Sequence, residues 1–177
     1  MAYAPPRTLR IALMTCLIAL PFIARAAPQP ARLAPDASFI SAGKTISLAA
    51  YHGHPIMLWQ VATWCGSCQA GLRVFAQNQK LIDHTSMRII VLRDYKNGGY
   101  PGISITKFAS QVAPSLLHDR HFVFGNDSKD LYQRYNPDHD IDIYDLIDTD
   151  HQITLIGSTP SATFGKIKAF INASQHP

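Results

Sequence analysis

Hydrophobic and polar positions follow two different periods along this chain, and the change between them predicts an α/β order of elements. Pro55 to Ala62 is a nearly continuous apolar run, which is typical of a strand buried on both faces of a sheet. After it, apolar residues recur at helical spacing and predict a helix from about Gly66 to Asp83. Met87 to Leu92 is the next apolar run. A strand, a helix and a strand in this order predict a right-handed crossover with parallel pairing.

The remaining apolar segments extend the same pattern to both ends of the chain. We predict strands at 39–40 and 45–48, a helix at 105–112, a strand at 122–124, a helix at 128–135, a hairpin of 141–147 with 152–156, and a helix at 162–173. The sequence has no internal repeats and no blocks of like charge. We therefore expect one α/β domain.

The first 26 residues have the pattern of an export signal. Arg7 and Arg10 precede the apolar run Ile11 to Ala24, and Ala24-Arg25-Ala26 has the small-x-small form that signal peptidase cleaves. The run has about 14 residues, fewer than the roughly 20 that span a bilayer. We predict a signal peptide at 1–26, an extended lead-in at 27–36 and one folded domain at 37–177, located in the periplasm or otherwise outside the cytoplasm.

The basic charge of the chain belongs mostly to this export signal. Residues 1–26 hold three arginines and no acid, so their removal lowers the formal charge from +4 to +1. The remaining charge gives no support for nucleic-acid binding.

The two cysteines left after the signal form one Cys-x-x-Cys pair, placed where the buried strand gives way to the helix. A loop closed by so few residues cannot staple a fold, so we interpret the pair as reactive or metal-binding. At a helix start, free N–H groups and the helix dipole stabilise a thiolate. We therefore assign Cys65 as the nucleophile and Cys68 as the resolving thiol, with Trp64, Gly66 and Ser67 around them.

Several segments around this pair resemble the exported thioredoxin-like proteins of the TlpA and ResA type. They are Gly43 to Leu48, His52 to Pro55, Ala62 to Cys68 and the hairpin segment Leu146 to Ile153. The resemblance spans roughly residues 37 to 173. It implies a thioredoxin fold, in which helices flank a central mixed β-sheet with an N-terminal β extension.

The same resemblance implies thiol-disulfide exchange outside the cytoplasm. Such exchange requires no cofactor, and its partner is a protein substrate with a disulfide or a dithiol. A membrane electron donor or acceptor is compatible with this chemistry. Because members of the family mostly act as reductants, we expect a reductant.

Two positions depart from the family's pattern. The family places a cis-proline opposite the cysteines, about four residues before the Leu-Ile-Asp of the hairpin, whereas this chain has Ile141 and Asp142 there. Relatives often carry Asp or Asn six residues before the first cysteine, where this chain has Trp59. If Asp142 replaces the proline, its carboxylate lies near the sulfurs, raises the thiol pKa and relays protons during exchange. We therefore add Ile141 and Asp142 to the predicted surround of the active site.

The loop before the hairpin favours an alternative function. Asp138-His139, followed by Tyr144, is similar to a segment of the Sco-type copper chaperones, in which a histidine of this loop joins two cysteines around copper. Those proteins space their cysteines by three residues instead of two. Two thiolates and one imidazole are suitable ligands for Cu(I). In this alternative, Cys65, Cys68 and His139 bind copper.

Overall fold

The computed structural model of the protein describes Met1 and residues 32–174. The predicted signal peptide at 1–26, the first half of the lead-in and the last three residues lie outside this range, apart from Met1. Within residues 32–174, no helix combines the length and the apolarity needed to cross a bilayer.

One mixed β-sheet organises the described part of the chain. Its strands are β1 (Arg32–Leu33), β2 (Ser38–Ser41), β3 (Lys44–Ser47), β4 (Ile56–Val61), β5 (Arg88–Arg93), β6 (Phe122–Asp127), β7 (Ile143–Ile147) and β8 (Gln152–Ser158). The order across the sheet is β1-β8-β7-β4-β5-β6-β2-β3. β5 pairs in parallel with β4 and β6, and the other neighbours are antiparallel. The parallel crossover, the N-terminal β extension and the late hairpin are therefore confirmed.

Five helices lie against this sheet in the described residues. They are α1 (Gly66–Gln77), α2 (Gln79–Ile82), α3 (Ile105–Val112), α4 (Lys129–Tyr135) and α5 (Pro160–Ala173). The single helix predicted to reach Asp83 is interrupted at Asn78, whose side-chain amide donates to the carbonyl of Val74 at 2.8 Å. Such a bond between an asparagine side chain and a nearby backbone group competes with the backbone hydrogen bonds that would continue the helix.

The sheet also begins earlier than the sequence indicates. Arg32 and Leu33 are exposed and pair with Ile153 and Gln152 of β8. The lead-in is extended here, as predicted, but it contributes an edge strand to the sheet.

The central strand β4 carries the site, because it is buried on both faces and ends beside the cysteines. Met57, Trp59 and Val61 belong to the core that includes α1 and α5. Ile56 and Leu58 belong to the core on the opposite face, which includes residues of α4. The carboxyl ends of the parallel strands β4 and β5 meet at one edge of the sheet, which is where ligand and catalytic groups gather in open α/β sheets.

Candidate active site

Cys65 caps the N-terminus of α1. Its sulfur accepts the backbone N–H of Cys68 at 3.2 Å and lies 3.1 Å from the hydroxyl oxygen of Ser67. Cys65 is 6% exposed and Cys68 is fully buried, and both are free thiols. One sulfur is therefore within reach of a substrate, and the second lies behind it.

The two thiols have opposite shifts in pKa. Hydrogen bonding by the Cys68 thiol is the main reason that the pKa of Cys65 falls to about 6, and Ser67 and the Cys68 N–H lower it further. The same hydrogen bond raises the pKa of Cys68, and burial and the charge of Asp142 raise it more. A single proton shared by the pair is thus held on Cys68, which leaves Cys65 as the thiolate.

Asp142 lies at this pair, and the buried residue Trp59 holds its carboxylate. One carboxylate oxygen of Asp142 and the sulfurs of Cys65 and Cys68 all lie within 4.8 Å of one another. The indole N–H of Trp59 donates to Asp142 Oδ1 at 2.8 Å, whereas Oδ2 has no hydrogen-bond partner among the described residues. Burial raises the pKa of Asp142, and the neighbouring Ser67, Trp59 and Cys68 offset part of that rise. The carboxylate is therefore suited to take a proton from Cys68.

The backbone around Asp142 and the helix above Trp59 fix this contact. Asp142 has a φ of 67°, in the left-handed region, and its carbonyl accepts the N–H of Thr159 at 2.9 Å. On α1, a Cβ at Gly71 would lie 2.6 Å from the Trp59 ring. Only glycine at this position leaves room for the indole as it stands.

Trp64 and Ile141 lie at the rim of the cysteine pair. Trp64 is 44% exposed, and its indole N–H donates to the carbonyl of Asn97 at 2.7 Å. A Cβ at Gly98 would lie 2.7 Å from the Ile141 side chain and 3.0 Å from Trp64. Gly66 is exposed at the first position of α1.

A second buried acid, Asp94, lies close to the site at the end of β5. Its Oδ1 accepts the N–H of Gly98 at 2.6 Å, and Oδ2 has no partner among the described residues. Burial raises the pKa of Asp94 to about 6, and the negative charge of Cys65 contributes to the rise. The sequence analysis missed Asp94, although its place directly after the parallel neighbour of β4 is a signal that could have identified it.

The structure does not bring His139 to the sulfurs. His139 is exposed and stacks on Tyr132, with ring centroids 5.2 Å apart. In the described residues, the group at the cysteines that could hold a metal ion contains Asp142 as its third member. Another such group, Asp83, Asp119 and His121, lies elsewhere, and both imidazole nitrogens of its histidine already face protein oxygens.

Trp59 is a second residue of the site whose role was not predicted from the sequence. Trp59 and Asp142 were two separate departures from the family's pattern, and the structure joins them in one hydrogen bond. A buried indole N–H requires a hydrogen-bond acceptor. The presence of both an unusual buried tryptophan and an unusual aspartate was therefore a sequence signal that the two side chains are partners.

The chain resembles known proteins in its structure, whereas comparisons of its sequence find no match. No protein-family profile matches the chain, and no curated protein matches it. A protein assigned as the thiol:disulfide interchange protein DsbE of Chlorobium tepidum matches 84% of this chain and 99% of its own, with a TM-score of 0.64 and 19% identity.

Two further solved structures are similar. A secreted Mycobacterium tuberculosis disulfide oxidoreductase homologous to E. coli DsbE matches 77% of this chain and 94% of its own, with a TM-score of 0.52 and 18% identity. BsSco, a member of the Sco family of cytochrome c oxidase assembly proteins, matches 84% and 95%, with a TM-score of 0.59 and 14% identity. At these identities the likeness establishes the fold, and the predicted thioredoxin-like fold is confirmed.

Proposed function

We propose that this protein is an exported thiol-disulfide oxidoreductase that reduces disulfides in a protein substrate. The observation that carries the exchange activity is the opposite shift of the two thiol pKa values, to about 6 for Cys65 and upward for Cys68, at a helix start where the Cys65 sulfur accepts the Cys68 N–H. The reducing direction rests on the resemblance to the TlpA and ResA type. A low pKa supplies a nucleophilic thiolate at neutral pH, and a protonated neighbour is held in reserve for the second step. The structural neighbours named as disulfide oxidoreductases support the same activity.

The reaction begins with attack by Cys65. Its thiolate bonds to one sulfur of the substrate disulfide, the substrate S–S bond breaks, and the other substrate sulfur leaves as a thiolate. Cys68 then loses its proton to Asp142, attacks the Cys65 sulfur and displaces the second substrate thiolate. The substrate gains two electrons, and the Cys65–Cys68 pair becomes a disulfide. A membrane electron donor that supplies a dithiol would return the pair to the reduced form.

Export through a signal peptide at 1–26 is part of this proposal. The support is the charged, apolar and small-residue pattern of that segment. A redox pair used as a reductant outside the cytoplasm also needs a donor, since that compartment is oxidising.

The decisive experiment uses single-cysteine variants with a model protein disulfide. We expect Cys65→Ser to abolish reduction, and Cys68→Ser to accumulate a mixed disulfide through Cys65 that mass spectrometry detects. Reversed behaviour, with Cys65→Ser trapping the adduct, would contradict the assignment of roles. Wild-type protein that exchanges no faster than a free thiol would contradict the activity itself.

Copper transfer is the second candidate function. Two soft thiolates lie within 4.8 Å of a carboxylate oxygen of Asp142, and thiolates favour Cu(I). The Sco member among the structural neighbours supports this candidate at the level of fold. We would titrate the reduced protein with Cu(I) against a chelator of known affinity. His139→Ala weakens binding only if the loop histidine moves to the metal, and Asp142→Asn weakens it if the observed group is the site.

A further inference from the structure

A cleft of about 550 Å³ adjoins the cysteine pair. Trp64, which precedes Cys65, and Ile141, which precedes Asp142, both line it. The volume lies within the range of ligand pockets in proteins. The cleft is therefore bordered by the residues that precede Cys65 and Asp142 in the chain, and a ligand held in it lies at the rim of the site.

Aromatic rings form much of the wall of this cleft. Tyr100 is 64% exposed and packs edge to face with Trp64, with ring centroids 5.3 Å apart. His139 and Tyr95 both pack against Tyr132, with centroids at 5.2 Å and 6.0 Å. Trp64, Tyr100 and His139 are exposed, whereas Tyr132 is buried beneath them at the base of the wall. Exposed rings offer faces and edges to an incoming aromatic side chain, and aromatic residues are enriched where proteins recognise one another.

A left-handed turn builds one side of the cleft. Lys96, Asn97 and Gly98 have φ values of 64°, 56° and 64°. The buried side chain of Asn97 holds the turn, because it accepts the N–H of Thr63 at 2.8 Å and donates to the carbonyl of Tyr100 at 2.9 Å. Left-handed residues other than glycine persist only where their surroundings enforce them, and they cluster at binding sites. This side of the cleft is thus formed before a ligand arrives.

The charged groups that line the cleft are positive. Among the described residues, Lys96 and Lys129 both line it and no aspartate does, although the exposed Asp140 lies close enough for its charge to act on Tyr132. The Lys96 ammonium lies 5.6 Å from the centroid of the Tyr95 ring. Asp94 lies nearby, but it is buried and its Oδ1 accepts the Gly98 N–H. The cleft therefore complements a ligand with carboxylates.

We propose that this cleft recognises the segment of the substrate protein that flanks its disulfide, and that it selects aromatic side chains next to acidic ones. The aromatic side chain packs among Trp64, Tyr100 and Tyr132, while carboxylates pair with Lys96 and Lys129. This inference rests on the proposed exchange activity and specifies its substrate class.

The test compares four probes on the wild-type protein. Three are blocked peptides, each a mixed disulfide with 2-mercaptoethanol, whose cysteine is flanked on both sides by phenylalanine and aspartate, by phenylalanine and lysine, or by serine and aspartate. The fourth is 2-hydroxyethyl disulfide, which is small and neutral and reports exchange chemistry alone. Each kcat/KM is expressed relative to the same protein's rate with this fourth probe.

We expect the phenylalanine–aspartate peptide to be reduced roughly tenfold faster than the phenylalanine–lysine peptide, because each of two partly exposed ion pairs contributes a factor of about 2 to 5. The double variant Lys96→Gln/Lys129→Gln should remove this preference. Its matched control is Lys166→Gln/Lys168→Gln, which changes two exposed lysines of α5 that do not line the cleft. Tyr100→Ala should reduce the preference for phenylalanine over serine by roughly threefold or more.

Binding of the same peptides with serine in place of cysteine, measured by calorimetry, tests the cleft without exchange. Equal affinities and equal rates for the three peptides would overturn the proposal, and so would a charge preference that survives in the cleft-lysine variant. Failure to reduce 2-hydroxyethyl disulfide, with peptide selectivity in binding intact, would contradict the exchange activity and leave the recognition site standing.

Discussion

Asp142→Asn is the substitution that most directly probes the chemistry of the site. Asparagine keeps an oxygen that can accept the indole N–H of Trp59, but it removes the charge beside the sulfurs and the base that serves Cys68. Because the charge of Asp142 raises the pKa of both cysteines, its removal should lower both pKa values. The effect should be larger for the fully buried Cys68.

The separation of the atoms sets the size of this effect. Two unit charges 4.8 Å apart interact by about 3.5 kcal/mol at an effective dielectric constant of 20 and by about 0.9 kcal/mol in water. These energies correspond to about 2.5 and 0.6 pKa units. For Cys65, whose sulfur lies nearest the surface, we expect a fall of about 0.5 to 1 unit from its value near 6. A fall of one unit stabilises the reduced form at neutral pH by about 1.4 kcal/mol and raises the dithiol potential by about 30 mV.

The same variant should slow the second chemical step. Without a proton acceptor for Cys68, resolution of the mixed disulfide should fall by about a hundredfold, since a positioned base typically contributes at least that factor. Attack by Cys65 should slow only about two- to threefold, because thiolate nucleophilicity falls with the thiol pKa while Cys65 is already mostly ionised at neutral pH. The variant should therefore accumulate the mixed disulfide that wild type passes through quickly, and quenched-flow mass spectrometry measures both steps.

Titration of the thiolate absorbance and alkylation rates across pH give the pKa of Cys65, and equilibration with a thiol buffer gives the potential. Asp140→Asn is the matched control, because this acid is exposed two residues away in the same loop. An unchanged Cys65 pKa together with wild-type resolution in Asp142→Asn would refute the role assigned to the carboxylate. Equal effects in the Asp140 control would refute its locality.

Two stability predictions concern residues outside the reacting pair. Gly71→Ala should lower the free energy of unfolding in urea by about 1 to 2 kcal/mol, because overpacking against the rigid Trp59 ring outweighs the better helix propensity of alanine. The control is Gly165→Ala in α5, where the added Cβ would meet nothing within 4 Å, and this variant should raise the free energy of unfolding. Asp145 is fully buried without a hydrogen-bond partner in the described residues, and burial raises its pKa to about 7. Because Asp145 ionises more readily in the unfolded chain than in the folded protein, the free energy of unfolding is highest below about pH 4. It falls by at most about 4 kcal/mol as the pH rises through 7. Asp145→Asn should therefore flatten the decline in unfolding free energy over that range, and an unchanged slope would contradict the assignment.

The order of elements was predictable because each element is encoded locally. Burial on both faces of β4 follows from its apolar run, and the placement of the cysteines at the start of α1 follows from their position after it. Two of the differences from the prediction depend on contacts that the local pattern does not encode. The break at Asn78 depends on one side-chain hydrogen bond, and β1 depends on pairing with a strand more than a hundred residues later, which no period in an exposed, proline-rich segment reveals.

The candidate site was predictable in its sulfurs and only partly in its surround. Spacing alone specifies that Cys65 and Cys68 meet, because residues three positions apart lie on the same face of a helix, about one turn from each other. Asn97 and Tyr132 lie on two segments far from Trp64 in sequence, and the topology of the sheet brings Asn97 into contact with Trp64 and Tyr132 to the same cleft. Neither their residue types nor their spacing carries that information.

Trp59 and Asp142 show why two substitutions that look independent in sequence form one structural unit. A fully buried indole N–H without an acceptor costs about 1 to 3 kcal/mol, so tryptophan at this position of β4 is tolerable only with a partner such as Asp142. The indole of Trp59 lies against α1, where Gly71 leaves room for its ring. Asp142, the residue before β7, accepts the indole N–H, and its carboxylate lies near the two sulfurs. Relatives of the predicted family often carry an acid on the strand before the cysteines; here Trp59 stands at that position, and the acid near the thiols is Asp142, to which the Trp59 indole donates. A proton acceptor within reach of Cys68 and a Cys65 sulfur that is partly exposed together provide what thiol-disulfide exchange requires.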